Sequence, residues 1–355
     1  MMGTIKWKKL KVVMLAGIGS VLLSGVAGYL YAIGFDLNGQ PPADPRSESS
    51  DLAFVRDGVR ESRGRVLAVV TNTATIGDSG KKAGFELTEL ARAYYVFVAN
   101  GYKVDIASPR GGKPPMRMDD ELVVADYAFL NDAEAKRKLD RSLPLAQVDP
   151  TDYAAVYFVG GKGTMFDFAD NADIQRIVRT VYEAGGIVGA VCHGPAALLN
   201  VRLGDGQRLI AGRRMTGFTN AEELFMLKDA RQLFPYLLQD RLIQHGARFV
   251  EGSNYLDNTV VDGQLVTGQN PWSTWSVAEA MVAALGHAPV PRERTGEEMG
   301  VQLLGVYYRQ GLAAAERAKA QWPQADRRVL LMRALVASMQ SRWRDAYNLQ
   351  SLARP

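Results

Sequence analysis

The stretch Gly185-Gly-Ile-Val-Gly-Ala-Val-Cys-His-Gly-Pro-Ala-Ala-Leu-Leu, residues 185–199, constrains this chain more than any other. Its first half, 187–191, is a short apolar run rich in β-branched residues, which suits a strand buried on both faces of a parallel sheet. Its second half predicts the start of a helix, because Pro195 is tolerated in a first turn and residues 196–199 are strong helix formers. Between the halves sits Cys192, the one cysteine of 355 residues. Its neighbour Gly194 is free to adopt backbone angles that other residues resist. A strand-to-helix turn of this kind pushes one side chain out at the carboxyl edge of the sheet and sets backbone N–H groups beside it, which is how a nucleophile is presented.

Cys192 adjoins His193, one of three histidines. The thiolate is the reactive form of cysteine, and both a helix N-terminus and an imidazole lower a thiol pKa, so Cys192 is expected to titrate below a free thiol. The rival reading is a small buried hydrophobe, as most free cysteines are. The turn, the adjacent histidine and the following Gly-Pro favour the nucleophile. His245, near a helix end, and His287, beside a domain boundary, read as cap or surface residues.

The composition, 47% hydrophobic and 23% charged, is that of an ordinary globular chain with ample material for a core. A formal net charge of +4 is too small to argue for nucleic acid, and a single cysteine excludes an internal disulfide. Residues 1–11 carry four lysines and no acid, and residues 12–33 then run without a charge. About 20 such residues span a bilayer, so a transmembrane anchor over 12–33 is expected, with the lysines cytoplasmic and the remainder on the outer side. A cleaved signal peptide is the rival. Tyr29, Leu30, Tyr31 and Ile33 prolong the apolar stretch past the small residues that would hold its processing site, and favour the anchor. Residues 34–63 read as a polar tether.

Strands are expected over 65–71, 103–107 and 154–159, alternating with helices over 85–100 and 174–184. That spacing predicts an α/β domain over 64–288 with a parallel sheet covered on both faces. Residues 108–150 show a charged helix-like piece near 133–143 but no strong strand, and read as surface decoration. Short strands over 208–210 and 213–215, helices over 222–228 and 234–245, a hairpin turning at Asp262-Gly263 and a closing helix over 273–285 complete the domain. Residues 289–355 form a helical extension, simplest as a hairpin broken at Pro323. One of its faces carries Leu303, Leu304, Tyr307, Tyr308 and Leu312, the other Leu331, Leu335, Met339 and Trp343. From Arg292 onward 11 Lys+Arg stand against 6 Asp+Glu, a solvated helical face or an appended module for a partner or lipid.

Ala190-Val-Cys-His-Gly-Pro resembles the nucleophile elbow of the ThiJ/PfpI superfamily, the class I glutamine amidotransferase-like fold. The similarity is strongest to its heat-shock-chaperone branch of glutathione-independent glyoxalases. Gly84-Phe-Glu-Leu-Thr-Glu-Leu, Val159-Gly-Gly-Lys-Gly-Thr-Met-Phe-Asp, Thr216-Gly-Phe-Thr-Asn-Ala-Glu-Glu and Asp262-Gly-Gln-Leu-Val-Thr-Gly-Gln-Asn-Pro match in the family's order, roughly over 64–287. The resemblance implies a flavodoxin-like sandwich and a site made of Cys192, His193, Glu89 as the acid beside the nucleophile, and Glu223 as the acid of a Cys-His-Glu triad. Glu86 and Glu222 are their neighbouring rivals. Residues alone read Glu89 as a solvated helix glutamate and both Glu222 and Glu223 as first-turn acids favoured by a helix dipole.

By the same resemblance Gly161 and the His193 backbone form an oxyanion hole, with Gly160 beside them. Lys162 departs from the histidine common at that position. A lysine stabilises developing negative charge, but exchanges protons near pH 7 only with a depressed pKa. The implied activity is conversion of a small 2-oxoaldehyde such as methylglyoxal to a 2-hydroxy acid without glutathione. A cysteine hydrolase and a non-catalytic chaperone or redox sensor are the alternatives. The sequence holds no HExxH, CxxC, GxxxxGK[ST] or strand-following GxGxxG, so no metal or nucleotide cofactor is indicated. The expected partners are the aldehyde substrate, the membrane, and a possible second copy in a homodimer, with no nucleic acid.

Overall fold

The computed structural model describes residues 31, 34–118 and 121–355. They fall into two compact units, one of residues 42–294 and one of Thr295–Pro355 with the described residues up to Pro41. The strands of the larger unit are β1 (Arg65–Val69), β2 (Phe85–Glu86), β3 (Lys103–Ser108), β4 (Met116–Arg117), β5 (Leu143–Pro144), β6 (Ala155–Phe158), β7 (Ile187–Val191), β8 (Arg214–Met215), β9 (Arg248–Phe249), β10 (Thr259–Asp262) and β11 (Leu265–Gly268). Seven of them form one sheet in the order β10-β11-β7-β6-β1-β3-β5. All neighbours are parallel except β10 and β11, the hairpin turning at Gly263-Gln264.

β6 and β7 are buried along their whole length, as strands covered on both faces must be, and their apolar sequences supply the core directly. Helix Leu87–Ala99 is buried on almost every residue. Phe97 meets Tyr157 of β6 edge to face at 5.8 Å, a contact worth about 0.5–1.5 kcal/mol beyond its buried area. The chain leaves β1 towards β3 on one side and β6 towards β7 on the other. Their neighbouring carboxyl ends therefore open into a crevice, where α/β sheets bind ligands.

Several expectations need correction. Residues 108–150 are part of the fold, not decoration: they form helices Val124–Asn131 and Ala133–Asp140 and give the sheet its edge strand β5. Asp126 there is wholly buried against Arg92 of helix Leu87–Ala99, at 3.1 Å. Residues 42–63 are no tether, because Leu52 joins the core, Phe54 meets Trp275 and Asn131 Nδ2 donates to the carbonyls of Pro45 and Ser47. Residues 208–210 form no strand, and Arg208 makes only an isolated bridge to Arg202.

The membrane anchor over 12–33 is also corrected. Among the described residues no helix is long and apolar enough to cross a membrane, so the anchor, and the outer-side placement that depended on it, are not supported. Apart from Tyr31, the basic end and the anchor segment lie outside the described residues.

Residues 295–355 of the smaller unit form four α-helices, Gly296–Gln310, Leu312–Gln321, Arg327–Met339 and Trp343–Leu352, where a single hairpin was expected. The first opens with a capping box of Thr295 and Glu298. Leu303, Leu304 and Tyr307 of the first expected face are buried, whereas Leu335, Met339 and Trp343 of the second are exposed.

Candidate active site

Cys192 stands directly after β7 with φ +58°, in the left-handed region that non-glycine residues rarely enter. Two backbone bonds hold it there: its N–H donates to the Gly268 carbonyl at 2.9 Å, and its carbonyl accepts from Phe218 N–H at 2.8 Å. Gly194 contributes space, not the expected unusual backbone angle. A Cβ built on it would run into the carbonyl oxygen of Phe158. The chain then winds into a five-residue 3-10 helix, Gly194–Leu198, with Pro195 in its first turn.

The thiol is almost withdrawn from water, at 3% residue exposure. Its Sγ lies 3.2 Å from Nδ1 of His193, whose Nε2 lies 2.5 Å from Oε2 of Glu223 near the start of helix Asn220–Met226. A carboxylate only accepts, so Nε2–H donates to Glu223 and, in the neutral imidazole, Nδ1 faces the sulfur as an acceptor. Phe218 covers the imidazole in a tilted stack at 4.5 Å.

Glu89 approaches from helix Leu87–Ala99. It is fully buried, and its Oε2 accepts from Gly160 N–H at 2.6 Å. Tyr157 Oη donates to the Glu89 carbonyl at 2.9 Å and ties that turn of the helix to β6. Close approach explains Gly160, since a Cβ there would lie 2.5 Å from Glu89 Oε2 and 2.8 Å from Cys192 Cβ. The Gly160 N–H is thus engaged by Glu89, while those of Gly161 and His193 donate to no group among the described residues. Thr164 Oγ1 donates to the carbonyls of Gly161 and His193 and so locks the glycine turn to the elbow. Lys162 sits half-buried on that turn and makes no ion pair or hydrogen bond among the described residues.

Burial pushes the Cys192 thiol up, well above its ordinary range. The negative charge of Glu89, then of Glu86, the hydrogen bond to Glu89 and the charge of Glu222 act in the same direction. The expected depression of the thiol is therefore corrected. A thiolate next to a carboxylate is disfavoured, so this environment favours the protonated thiol.

The structure thus brings Cys192, His193, Glu89, Glu223, Gly160 and Gly161 together at the carboxyl ends of β6 and β7. His245 stands apart, with Nδ1 against the Leu199 carbonyl, and His287 lies against the Tyr102 ring. The Phe218 stack and the Thr164 lock were not foreseen, since neither residue belongs to a chemical motif. Among the described residues no group of three or more histidine, cysteine, aspartate or glutamate side chains is arranged to hold a metal ion.

A model of the DJ-1/PfpI family matches residues 81–284. The Candida albicans protein named Glyoxalase 3 is 35% identical over 233 residues, covering 62% of this chain and 97% of the relative. The crystal structure of glyoxalase III from Candida albicans superposes with a TM-score of 0.55 at 32% identity, over 62% of this chain and 97% of the other. That of Rapid Encystment Protein 24 KDa from Francisella tularensis does so with 0.60 at 34% identity, over 62% and 99%.

Proposed function

The chain belongs to the DJ-1/PfpI family, and from that premise we propose that it is a glutathione-independent glyoxalase converting small 2-oxoaldehydes to 2-hydroxy acids through Cys192. Relatives named as glyoxalases support the reaction type. The observation that carries the reading is the thiol's position between two proton-handling groups, the imidazole of His193 at 3.2 Å and the buried carboxyl group of Glu89.

In this mechanism Sγ attacks the aldehyde carbon, the C–S bond forms, and the carbonyl electron pair moves to oxygen, which takes a proton to give a hemithioacetal. Glu89 then removes the hydrogen from that carbon as a proton and returns it to the neighbouring carbon through an enediol. The former aldehyde carbon is thereby oxidised and its neighbour reduced, and no external oxidant is needed. The product is a 2-hydroxy thioester. Water cleaves its C–S bond, releasing the 2-hydroxy acid and restoring the thiol. His193 holds the proton exchanged with sulfur and Glu223 orients the imidazole. The N–H groups of Gly161 and His193 face the developing oxyanion, and Lys162 adds positive charge at the rim.

A line of cysteine, histidine and glutamate also serves a cysteine hydrolase. Glu89 favours the glyoxalase, because a buried carboxyl group beside the thiol has no task in hydrolysis by a triad. The test is incubation of the purified chain with methylglyoxal in the absence of glutathione, beside Cys192→Ala. Lactate formation that disappears in the variant is expected. No lactate from the parent protein, or full activity in the variant, overturns the reading.

A further inference from the structure

Next to Glu223, on the same helix, Glu222 is fully buried and accepts five hydrogen bonds. Its Oε2 receives Thr219 N–H at 3.1 Å and Thr219 Oγ1 at 2.9 Å. Its Oε1 receives Tyr255 N–H at 2.5 Å, Asn270 Nδ2 at 2.9 Å and Gln269 Nε2 at 3.1 Å. The orientations of the two amides are fixed independently. Gln269 Oε1 already accepts from Gly252 N–H and Asn258 Nδ2, and Asn270 Oδ1 accepts from Trp272 N–H. Only donors therefore face Glu222, an environment that an ionised carboxylate satisfies and an amide does not.

Each donor belongs to a segment that sets part of the catalytic geometry. Thr219 caps the helix that carries Glu223 and follows Phe218, the ring over His193. Gln269 and Asn270 follow Gly268, whose carbonyl holds Cys192 N–H. Tyr255 has φ +55°, its Oη also donates to the Glu222 carbonyl at 2.7 Å, and its ring meets Phe218. A left-handed tyrosine persists where surrounding bonds over-determine it, and its N–H and its hydroxyl are each bonded to residue 222.

We infer that Glu222 is a positioning residue, which fastens helix Asn220–Met226, the loop around Tyr255 and the end of β11 together and thereby holds Glu223 on His193. This rests on the proposed role of the Cys192–His193–Glu223 line, but not on the identity of the substrate. It is distinct from a purely electrostatic role: the Glu222 charge by itself pushes the Cys192 thiol up, so removing charge alone speeds alkylation, whereas loosening Glu223 slows it.

Cys192 is the sole cysteine, so iodoacetamide uptake by the full chain reports on this thiol without any oxoaldehyde. Rates across pH 6–9 are compared for the parent chain, Glu222→Gln, Glu223→Gln and the double variant. The expected result is alkylation near pH 7 slowed about tenfold by Glu222→Gln, with the same displaced pH profile as Glu223→Gln, and a double variant no slower than Glu223→Gln. An unchanged or faster rate in Glu222→Gln, or losses that multiply in the double variant, overturns the inference. Circular dichroism checks that each variant folds. Should Glu222→Gln fail that check, Asn270→Ala, which keeps the carboxylate and removes one donor, must slow alkylation in the same sense by a smaller factor, and a parent-like rate there overturns the inference. Failure of the glyoxalase reading shows separately, as absence of lactate in a chain whose alkylation still follows this pattern.

Discussion

Glu223 Oε2 lies 2.5 Å from His193 Nε2, and both residues are shielded from water, at 4% and 2% exposure. A bond so shielded orients the imidazole and stabilises its positive charge whenever the ring takes the thiol proton. Glu223→Gln keeps the shape and removes the charge. It is expected to lower kcat on methylglyoxal about 10- to 100-fold with little change in KM, because the lost interaction strengthens only as charge develops. A change confined to KM sinks this assignment.

Glu89→Gln is expected to abolish turnover, since in the proposed mechanism it removes the group that carries hydrogen between the two carbons. General acid–base catalysis is worth about 10² to 10⁴ in rate, so the loss stands well clear of assay noise. Lactate production decides the matter. A variant with full oxoaldehyde activity removes Glu89 from the mechanism, and with it the argument against a hydrolase.

The raised Cys192 thiol links stability to alkaline pH. Above the ~8.5 of a free thiol the unfolded chain gives up this proton while the folded chain retains it, so the unfolded state binds fewer protons and stability falls as pH rises, until the folded thiol also ionises. Thermal melts between pH 8 and 9.5 should therefore fall more steeply for the parent chain than for Cys192→Ser. Parallel slopes contradict the raised thiol.

Arg92→Leu leaves Asp126 buried without its 3.1 Å partner. Breaking a buried pair from one side costs about 3–5 kcal/mol, and urea unfolding of the variant should show a loss of that order. A loss below about 1 kcal/mol, the range of a surface pair, shows that water reaches Asp126 in the variant.

What could be read beforehand depends on how local the determinants are. The elbow, the Asp262-Gly263 hairpin and the buried strands β6 and β7 are written in consecutive residues, and the resemblance located Cys192, His193, Glu89 and Glu223 by motif. The Arg92–Asp126 pair was illegible because its residues lie 34 positions apart and each reads as a solvated charge. β5 escaped notice because it is two residues long and has no periodicity of its own. The thiol is raised where a depression was expected because a helix terminus and a histidine are visible in sequence, whereas the burial of the sulfur, the largest cause, and the nearby charge of Glu86 follow only from the fold. Neighbouring glutamates on one helix cannot be told apart by pattern. Glu222 and Glu223 differ by about 100° of helical rotation, which sends one into a cage of donors and the other to the imidazole. The charge-free run over 12–33 satisfied the length criterion for a membrane span, yet the described helices include none that meets it.

The surroundings of Cys192 are gathered from Glu89, Gly160, Phe218, Glu223 and Gly268, which span 180 positions of the chain. No early folding fragment contains them all, so the pocket closes only after the long-range strand pairings are made, and such pairings are the slow ones. The one thiol therefore acts as a clock for the last stage of folding. Pulse labelling during refolding should find it reactive after helical signal has returned and shielded only when β11 docks on β7. In the finished protein, the rate at which a bulky reagent gains entry measures how often this corner of the sheet comes apart.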